Sequence, residues 1–530
     1  MFKNYLRNLR GFVLSILLSV PFLSIGGPGY FNISDYGAKA DGTTLNTTSI
    51  QSAIDACAKS GGGTVFFPAG KYLSGTIFLK SNITLHLDAG AVLTGSKNLE
   101  DYPVTISKIR SYTDNYTNKS LIYGEDLDHI SITGTGTIDG NGASFDADGE
   151  LRKKDLFESY KARPYLIRII NCKNILVRDV TILNSPMWVQ HYLSCDGINI
   201  DGIRVSSRVN HNNDGIDIDG CNNVRISNCE IISGDDAIVL KSCLDRPCRN
   251  ITVTNCVISS NCSAFKLGTE TNGGYQNITF SNSVIYDTQL AGITLQMVDG
   301  GKLERVSISN ITMDNVGTAI FIRLGNRARP FKEYMAKPPM GLLSDVIINN
   351  VQAANVGNTG CSITGLPNFP VKNITLANIR FTFKGGGTPD LAKREIPEVP
   401  EKYPEYNMFG KLPAYGFYCR HAENLTFDDV EMDFTLPDAR PAIVCDDVNG
   451  LQLLKIKATM AGPEPLIRCK DVKNMFVQSC IAPPGLETFL QIDGAGSGHI
   501  TLLGNDLSGA KNAVKKDGTQ EVYLDSNRLK

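Results

Sequence analysis

The chain repeats one phrase: a turn bearing Asn or Gly, a short strand in which apolar and polar residues alternate, then a second short strand. Instances are Asn174-Ile175-Leu176-Val177, Asn250-Ile251-Thr252-Val253, Asn277-Ile278-Thr279-Phe280, Asn373-Ile374-Thr375-Leu376 and Asn424-Leu425-Thr426-Phe427. The first apolar position falls at Ile175, Ile198, Val224, Ile251, Ile278 and Val306, and later at Leu425, Leu451, Met475, Ile500 and Val522, spaced by 22 to 28 residues within each run. Alternation with period two predicts strands, and a repeat of this length without helical stretches predicts an all-β parallel β-helix. The Leu-x-x-Leu-x-Leu framework of a leucine-rich repeat is missing. Equivalent positions of successive coils then become neighbours about 4.8 Å apart, so the recurring Asn, Cys and Ile residues predict internal ladders.

Three segments depart from the rhythm. From Thr48 to Ala58, Ile50, Ile54 and Cys57 share one helical face and Gly61-Gly62-Gly63 follows, which predicts a short N-terminal helix capping the open end of the solenoid. The intervals Val306 to Val346, 40 residues, and Ile374 to Leu425, 51 residues, predict insertions into coils. The second, around Gly385 to Pro413, is rich in Pro, Gly, charge and Tyr and is expected to leave the stack, either beside a binding groove or into solvent.

Residues 27–530 are expected to form one domain. Ahead of them, a cationic start from Met1 to Arg10, an apolar run from Phe12 to Ile25 and the exit Gly26-Gly27-Pro28-Gly29 have the form of a secretory signal over 1–26, too short for a comfortable membrane span. A secreted or periplasmic monomer without a membrane span is therefore expected. A net charge of −2 over 530 residues gives no basic surplus for nucleic acid. The 14 cysteines recur just before strands, as at Cys172, Cys195 and Cys221, and read mostly as buried small residues. Cys243 and Cys248 are the best-placed pair for a local bridge. Zinc-binding motifs are missing, and neither metal nor cofactor is expected.

Candidate chemistry lies in Asn212-Asn213-Asp214-Gly215-Ile216-Asp217-Ile218-Asp219 and, about one repeat later, in Ser233-Gly234-Asp235-Asp236-Ala237-Ile238. Coil stacking brings Asp214 beside Asp235 and Asp236, and the bend available at Gly234 lets both of the latter face one groove. Carboxylates gathered this way repel, so at least one retains its proton, and a proton donor beside an acceptor is what glycosidic hydrolysis requires. Alternation turns Asp217, Asp219, Lys241, Lys266, Gln296 and Arg323 to the outer face of the same sheet. Lys241, Lys266 and Arg323 can pair there with an acidic sugar. Trp188 reads as a core residue, with stacking on a sugar ring as the alternative.

With these phrases the chain resembles glycoside hydrolase family 28, the polygalacturonase and rhamnogalacturonan hydrolase family. The likeness extends from Asp35-Tyr36-Gly37-Ala38 and Gly61-Gly62-Gly63-Thr64-Val65 to Phe417-Tyr418-Cys419-Arg420-His421. It implies a right-handed parallel β-helix and inverting hydrolysis of a galacturonic-acid-containing pectic poly- or oligosaccharide. Asp235 matches the general acid, and Asp214 with Asp236 the pair that activates water. Substrate contacts are expected from His211, Asn212, Lys241, Lys266, Gln296 and Arg323. Two departures stand out. Ser263 occupies the place of the His in the family's Gly-His-Gly, with His191 and His211 as candidate replacements or simply packed residues. Thr294-Leu295-Gln296 replaces the Arg-Ile-Lys that grips the substrate carboxylate, so Lys241, Lys266 or Arg323 takes that role or the sugar there is neutral. These departures point towards a rhamnogalacturonan-directed or exo-acting relative, with the insertion near Tyr403 and Tyr406 closing one end of the groove. Two rivals are a β-eliminating pectin lyase recruiting Asp217, Asp219 and Lys241, and a non-catalytic carbohydrate-binding β-helix.

Overall fold

The computed structural model describes residues 29–530 apart from 331 and 333; the expected signal segment 1–26 lies outside them. Among the described residues, 36 strands form one continuous ladder. The repeat anchors are its rungs: Ile175 pairs with Ile198, Ile198 with Val224, Val224 with Ile251, Ile251 with Ile278 and Ile278 with Val306, all in parallel. Both long intervals are single coils with insertions, since Val306 pairs directly with Val346 and Ile374 with Leu425. The stack is a parallel β-helix.

The composition of the repeat follows from this geometry. The anchors from Ile175 to Ile500 are buried in one core that runs the length of the solenoid, with Val522 partly buried at its end, and each buried side chain contributes about 1.5–3 kcal/mol of burial free energy. The turn Asn residues Asn174, Asn223, Asn250 and Asn277 lie in left-handed backbone, with φ between 54° and 58°. Asn tolerates that conformation better than most residues. Their side chains also bond along the stack: Asn250 Nδ2 donates to Asn223 Oδ1 at 3.1 Å, and Asn277 Nδ2 to Asn250 Oδ1 at 2.9 Å.

At the N-terminal end the helix Thr47–Lys59 buries Ile50, Ala53, Ile54 and Cys57 against the first coils, covering backbone edges that would otherwise be open. No helix among the described residues is long and apolar enough to cross a membrane.

The cysteines form a further ladder, and the expected Cys243–Cys248 bridge is not formed: both are free buried thiols. Cys248 belongs to the column of Cys172, Cys195 and Cys221 and its Sγ donates to Lys241 O at 3.1 Å, whereas the Cys243 amide is tied to Asp219 Oδ1 at 2.8 Å. Reductant is therefore expected to leave the thermal unfolding midpoint unchanged. In a native thiol titration Cys262, the one cysteine not fully buried, should react ahead of the rest; a loss of midpoint on reduction would contradict the free-thiol assignment.

Candidate active site

The first strand of each coil forms the sheet that carries the site: Gln190–Leu193, Ile216–Asp219, Ile238–Ser242 and Phe265–Thr271 lie side by side. The residues just before these strands continue the ladder. Val189 N donates to Asp214 O at 2.9 Å, Gly215 N to Asp236 O at 2.9 Å and Ala237 N to Ser263 O at 2.9 Å. Trp188, Asp214, Asp236 and Ser263 thus form one column, in which Ser263 has the place next to Asp236. Asn213 holds the turn before Asp214, donating to Ser185 O at 2.8 Å and Met187 O at 3.1 Å. Gly234 permits a close crossing, because a Cβ there would lie 3.2 Å from Asn213 Cβ and 3.3 Å from the Arg208 backbone.

Asp214, Asp235 and Asp236 line one pocket of about 250 Å³ together with Asn212, Lys241 and Trp188. Two lysines divide the carboxylates. Lys266 Nζ lies 2.9 Å from Asp236 and 3.5 Å from Glu405. Lys241 Nζ lies 3.6 Å from Asp214, 3.6 Å from Asp217 and 3.7 Å from Glu270, and 4.7 Å from the centre of the Trp188 ring.

This distribution sets the protonation states. Burial and then the neighbouring Asp236 charge push the Asp235 carboxyl up. Burial works in the same direction on Asp236, but Lys266 and then Lys241 overcome it and hold that carboxyl below its ordinary value. Asp214 is pushed well up by burial and then by Asp217 and Asp235. Neither oxygen of Asp217 nor Oδ1 of Asp214 has a hydrogen-bond partner among the described residues. Glu270, despite its burial, is held far down by Lys241 and Arg329.

The remaining sequence candidates separate. Lys266 stands behind Asp236 rather than in the pocket lining. Gln296 is fully buried and its Nε2 donates to Pro404 O at 2.7 Å. Arg323 donates from Nη2 to Glu398 O at 2.7 Å and from Nη1 to Gly365 O at 3.0 Å. Both side chains thereby fasten the insertion after Gly385, which lies over this part of the sheet. Phe321 of the sheet and Ile396, Met408, Phe409 and Leu412 of the insertion form one apolar cluster that joins the two. His191 is buried with Nε2 3.3 Å from Asp219. The ring of His211 turns towards Gly149, whose hypothetical Cβ would lie 2.6 Å from Nε2. Asp217 and Asp219 are fully buried under the pocket floor.

Of the lining residues, some were legible in the sequence and others were not. Trp188, read as a core residue with sugar stacking as the alternative, was legible and lines the pocket: it precedes His191 by the same three residues that separate Asp214 from Asp217, and those two strands pair in register. Glu270 was not, because the ladder shifts between Leu240 and Ser242, where Ser242 pairs with Thr271. That bulge brings Glu270 opposite Lys241. Tyr112, Tyr116 and Tyr160 build an aromatic wall from segments outside the repeat. Arg163 ties that wall to the turn before Asp214 by donating to His211 O at 2.6 Å and Asn212 Oδ1 at 3.2 Å. Tyr403 closes the pocket from the large insertion, its hydroxyl accepting from Thr269 Oγ1 at 2.8 Å.

Comparison with known proteins agrees with this architecture. The chain is 38% identical over 229 residues to a protein named probable polygalacturonase of Vitis vinifera, covering 40% of this chain and 44% of the relative. It is 34% identical over 254 residues to an exo-poly-alpha-D-galacturonosidase of Dickeya chrysanthemi, covering 40% and 42%. The matches thus span less than half the length of these two relatives. The crystal structure of a hyperthermoactive exopolygalacturonase from Thermotoga maritima superposes with a TM-score of 0.60 at 23% identity, over 77% of this chain and 93% of that one, which speaks for the fold. The sequence model of glycosyl hydrolases family 28 matches residues 57–399, more than half the chain, and the protein therefore belongs to that family.

Proposed function

We propose that the protein hydrolyses a glycosidic bond in a galacturonic-acid-containing pectic oligo- or polysaccharide, with inversion, and acts from a chain end. The observation that carries this reading is the opposite poise of two adjacent carboxyls in one pocket. Asp235 keeps its proton, while Asp236, paired with Lys266, stays ionised. Oppositely shifted carboxyls are the arrangement that supplies an acid and a base at one pH. Asp235 protonates the leaving oxygen as the bond breaks; Asp236, with Asp214 beside it, takes the proton of the water that attacks the anomeric carbon. Electrons from the broken bond stay on the protonated leaving group, so no oxidant or reductant is needed.

Action from a chain end is supported by the small pocket, with Tyr403 and its loop on one side and the wall of Tyr112, Tyr116 and Tyr160 on another. Relatives named exopolygalacturonase are in keeping with that reading. The cationic start and apolar run before residue 27 support export to the periplasm or medium; recovery of the full-length chain only from the cytoplasm would contradict it.

The direct test is the product profile on homogalacturonan and rhamnogalacturonan oligosaccharides, with the anomer followed by NMR. A saturated sugar of inverted configuration, released one unit at a time, is expected. An unsaturated, ultraviolet-absorbing product would instead establish β-elimination, and a retained anomer would exclude the single-displacement step.

A further inference from the structure

The family's carboxylate clamp is missing from its strand, and the structure shows why that strand cannot supply one: Gln296 is committed to Pro404 and the Thr294 hydroxyl to Ser263 Oγ at 3.5 Å. The smaller insertion brings cations in from another direction. After the strand Lys302–Leu324 the chain leaves the ladder until Leu342, and two residues of this excursion, Arg327 and Arg329, line the pocket.

Both are held by buried acids. Arg327 Nε donates to Asp299 Oδ1 at 2.9 Å, its Nη2 bonds Asp299 Oδ2, and the backbone amide of Arg329 donates to the same Oδ1 at 2.9 Å. Arg329 Nη2 donates to Glu270 Oε1 at 2.5 Å. Asp299 is fully buried, so it acts as an internal brace rather than as a ligand. Aromatic rings complete the frame, with Arg329 over Tyr112 at 3.4 Å and Arg327 over Tyr403 at 5.6 Å. The Nη1 groups of both arginines make no hydrogen bond among the described residues and are not among the enclosed unpartnered atoms. Lys241, 3.7 Å from Glu270, adds a third cation on the same side.

We propose that Arg327 and Arg329 form the carboxylate-binding subsite for the uronic acid ring held in the pocket, replacing from an inserted loop the recognition that the strand lacks. Guanidinium N–H groups suit a carboxylate, and side chains already fixed by Asp299 and Glu270 lose little freedom when they bind one. The inference rests on the hydrolase reading for its substrate, but its test does not depend on turnover.

Trp188 is the only tryptophan of the chain and sits in the pocket beside Lys241, so its fluorescence reports occupancy. Titrating the intact protein with D-galacturonate and with its methyl ester should show the free acid binding about tenfold tighter or more, the effect of a charge-assisted hydrogen bond. Arg327→Gln and Arg329→Gln should each reduce that preference towards unity while leaving the ester's affinity in place. Arg329→Lys, which keeps a charge for Glu270, should retain the fold and part of the preference. Equal binding of acid and ester to the unaltered protein would overturn the proposal without any variant. So would an equal loss for both ligands in variants that remain folded. Preference for the acid without hydrolysis of any pectic substrate would instead sink the hydrolase reading and leave the subsite standing.

Discussion

Asp235→Asn should lower kcat on a pectic oligosaccharide by about 10²–10⁴-fold, the usual contribution of a positioned general acid. Asn keeps the shape and cannot donate the proton that the leaving sugar oxygen needs. An aryl galacturonide with a good leaving group needs no such proton, so the variant should retain far more activity on it. Equal losses on both substrates would show that Asp235 is not the acid. The pH profile carries the same assignment. Under the proposed roles, activity requires Asp236 ionised and Asp235 protonated. It should rise with pH through the depressed titration of Asp236 and fall through the raised titration of Asp235. In Asp235→Asn acting on the aryl substrate, the alkaline limb should disappear and the acid limb remain.

Lys241→Met should give the largest loss of stability, about 3–5 kcal/mol, because it strands buried carboxylates around one removed cation. Lys241 is 5% exposed, and Asp214, Asp217 and Glu270 all face it within 3.7 Å. The sign of the pH dependence follows from the carboxyls. Without the ammonium, Glu270 loses the largest influence that holds it down, and Asp214 and Asp217 lose their counter-charge. A carboxyl whose folded pKa lies above its unfolded value destabilises the fold once the pH exceeds the unfolded value, about 4. The variant's deficit in urea unfolding should therefore shrink as the pH is lowered from 8 towards about 5. A deficit that is small, or that does not change with pH, would show that the carboxylates around Lys241 do not depend on its charge.

One row of polar residues on the sheet carries several different roles. Lys241, Lys266, Gln296 and Arg323 all project from the outer face of one sheet, as alternation requires. What each does depends on what covers it. Arg323 and Gln296 lie beneath the insertion and hold it in place. Lys266 sits behind Asp236 and sets its ionisation. Only Lys241 both lines the pocket and balances its charge. Alternation gives the direction of a side chain within a strand; it carries no information about a loop that returns from more than a hundred residues away.

Much of the scaffold was legible because a parallel β-helix converts sequence period into spatial adjacency. Ile278 pairs with Val306, and Val306 with Val346 across an interval of 40 residues, since the insertion leaves the strand register intact. The same conversion makes Asp214, Asp235 and Asp236 neighbours from their spacing in the chain alone. It also places Trp188, about one coil before Asp214, in the column of Asp214 and Asp236. The sequence by itself thus determined the coil, its inward and outward faces, and the gathering of three aspartates, because each follows from local alternation and a fixed repeat. Tertiary structure alone set the opposite poise of Asp235 and Asp236, through the burial of both and the placing of Lys266 against Asp236. It alone brought Arg327 and Arg329 to the pocket and set the contact of Tyr403, expected at the groove's end, with Thr269, because insertions break the period and their positions are set by long-range packing rather than by any spacing in the chain.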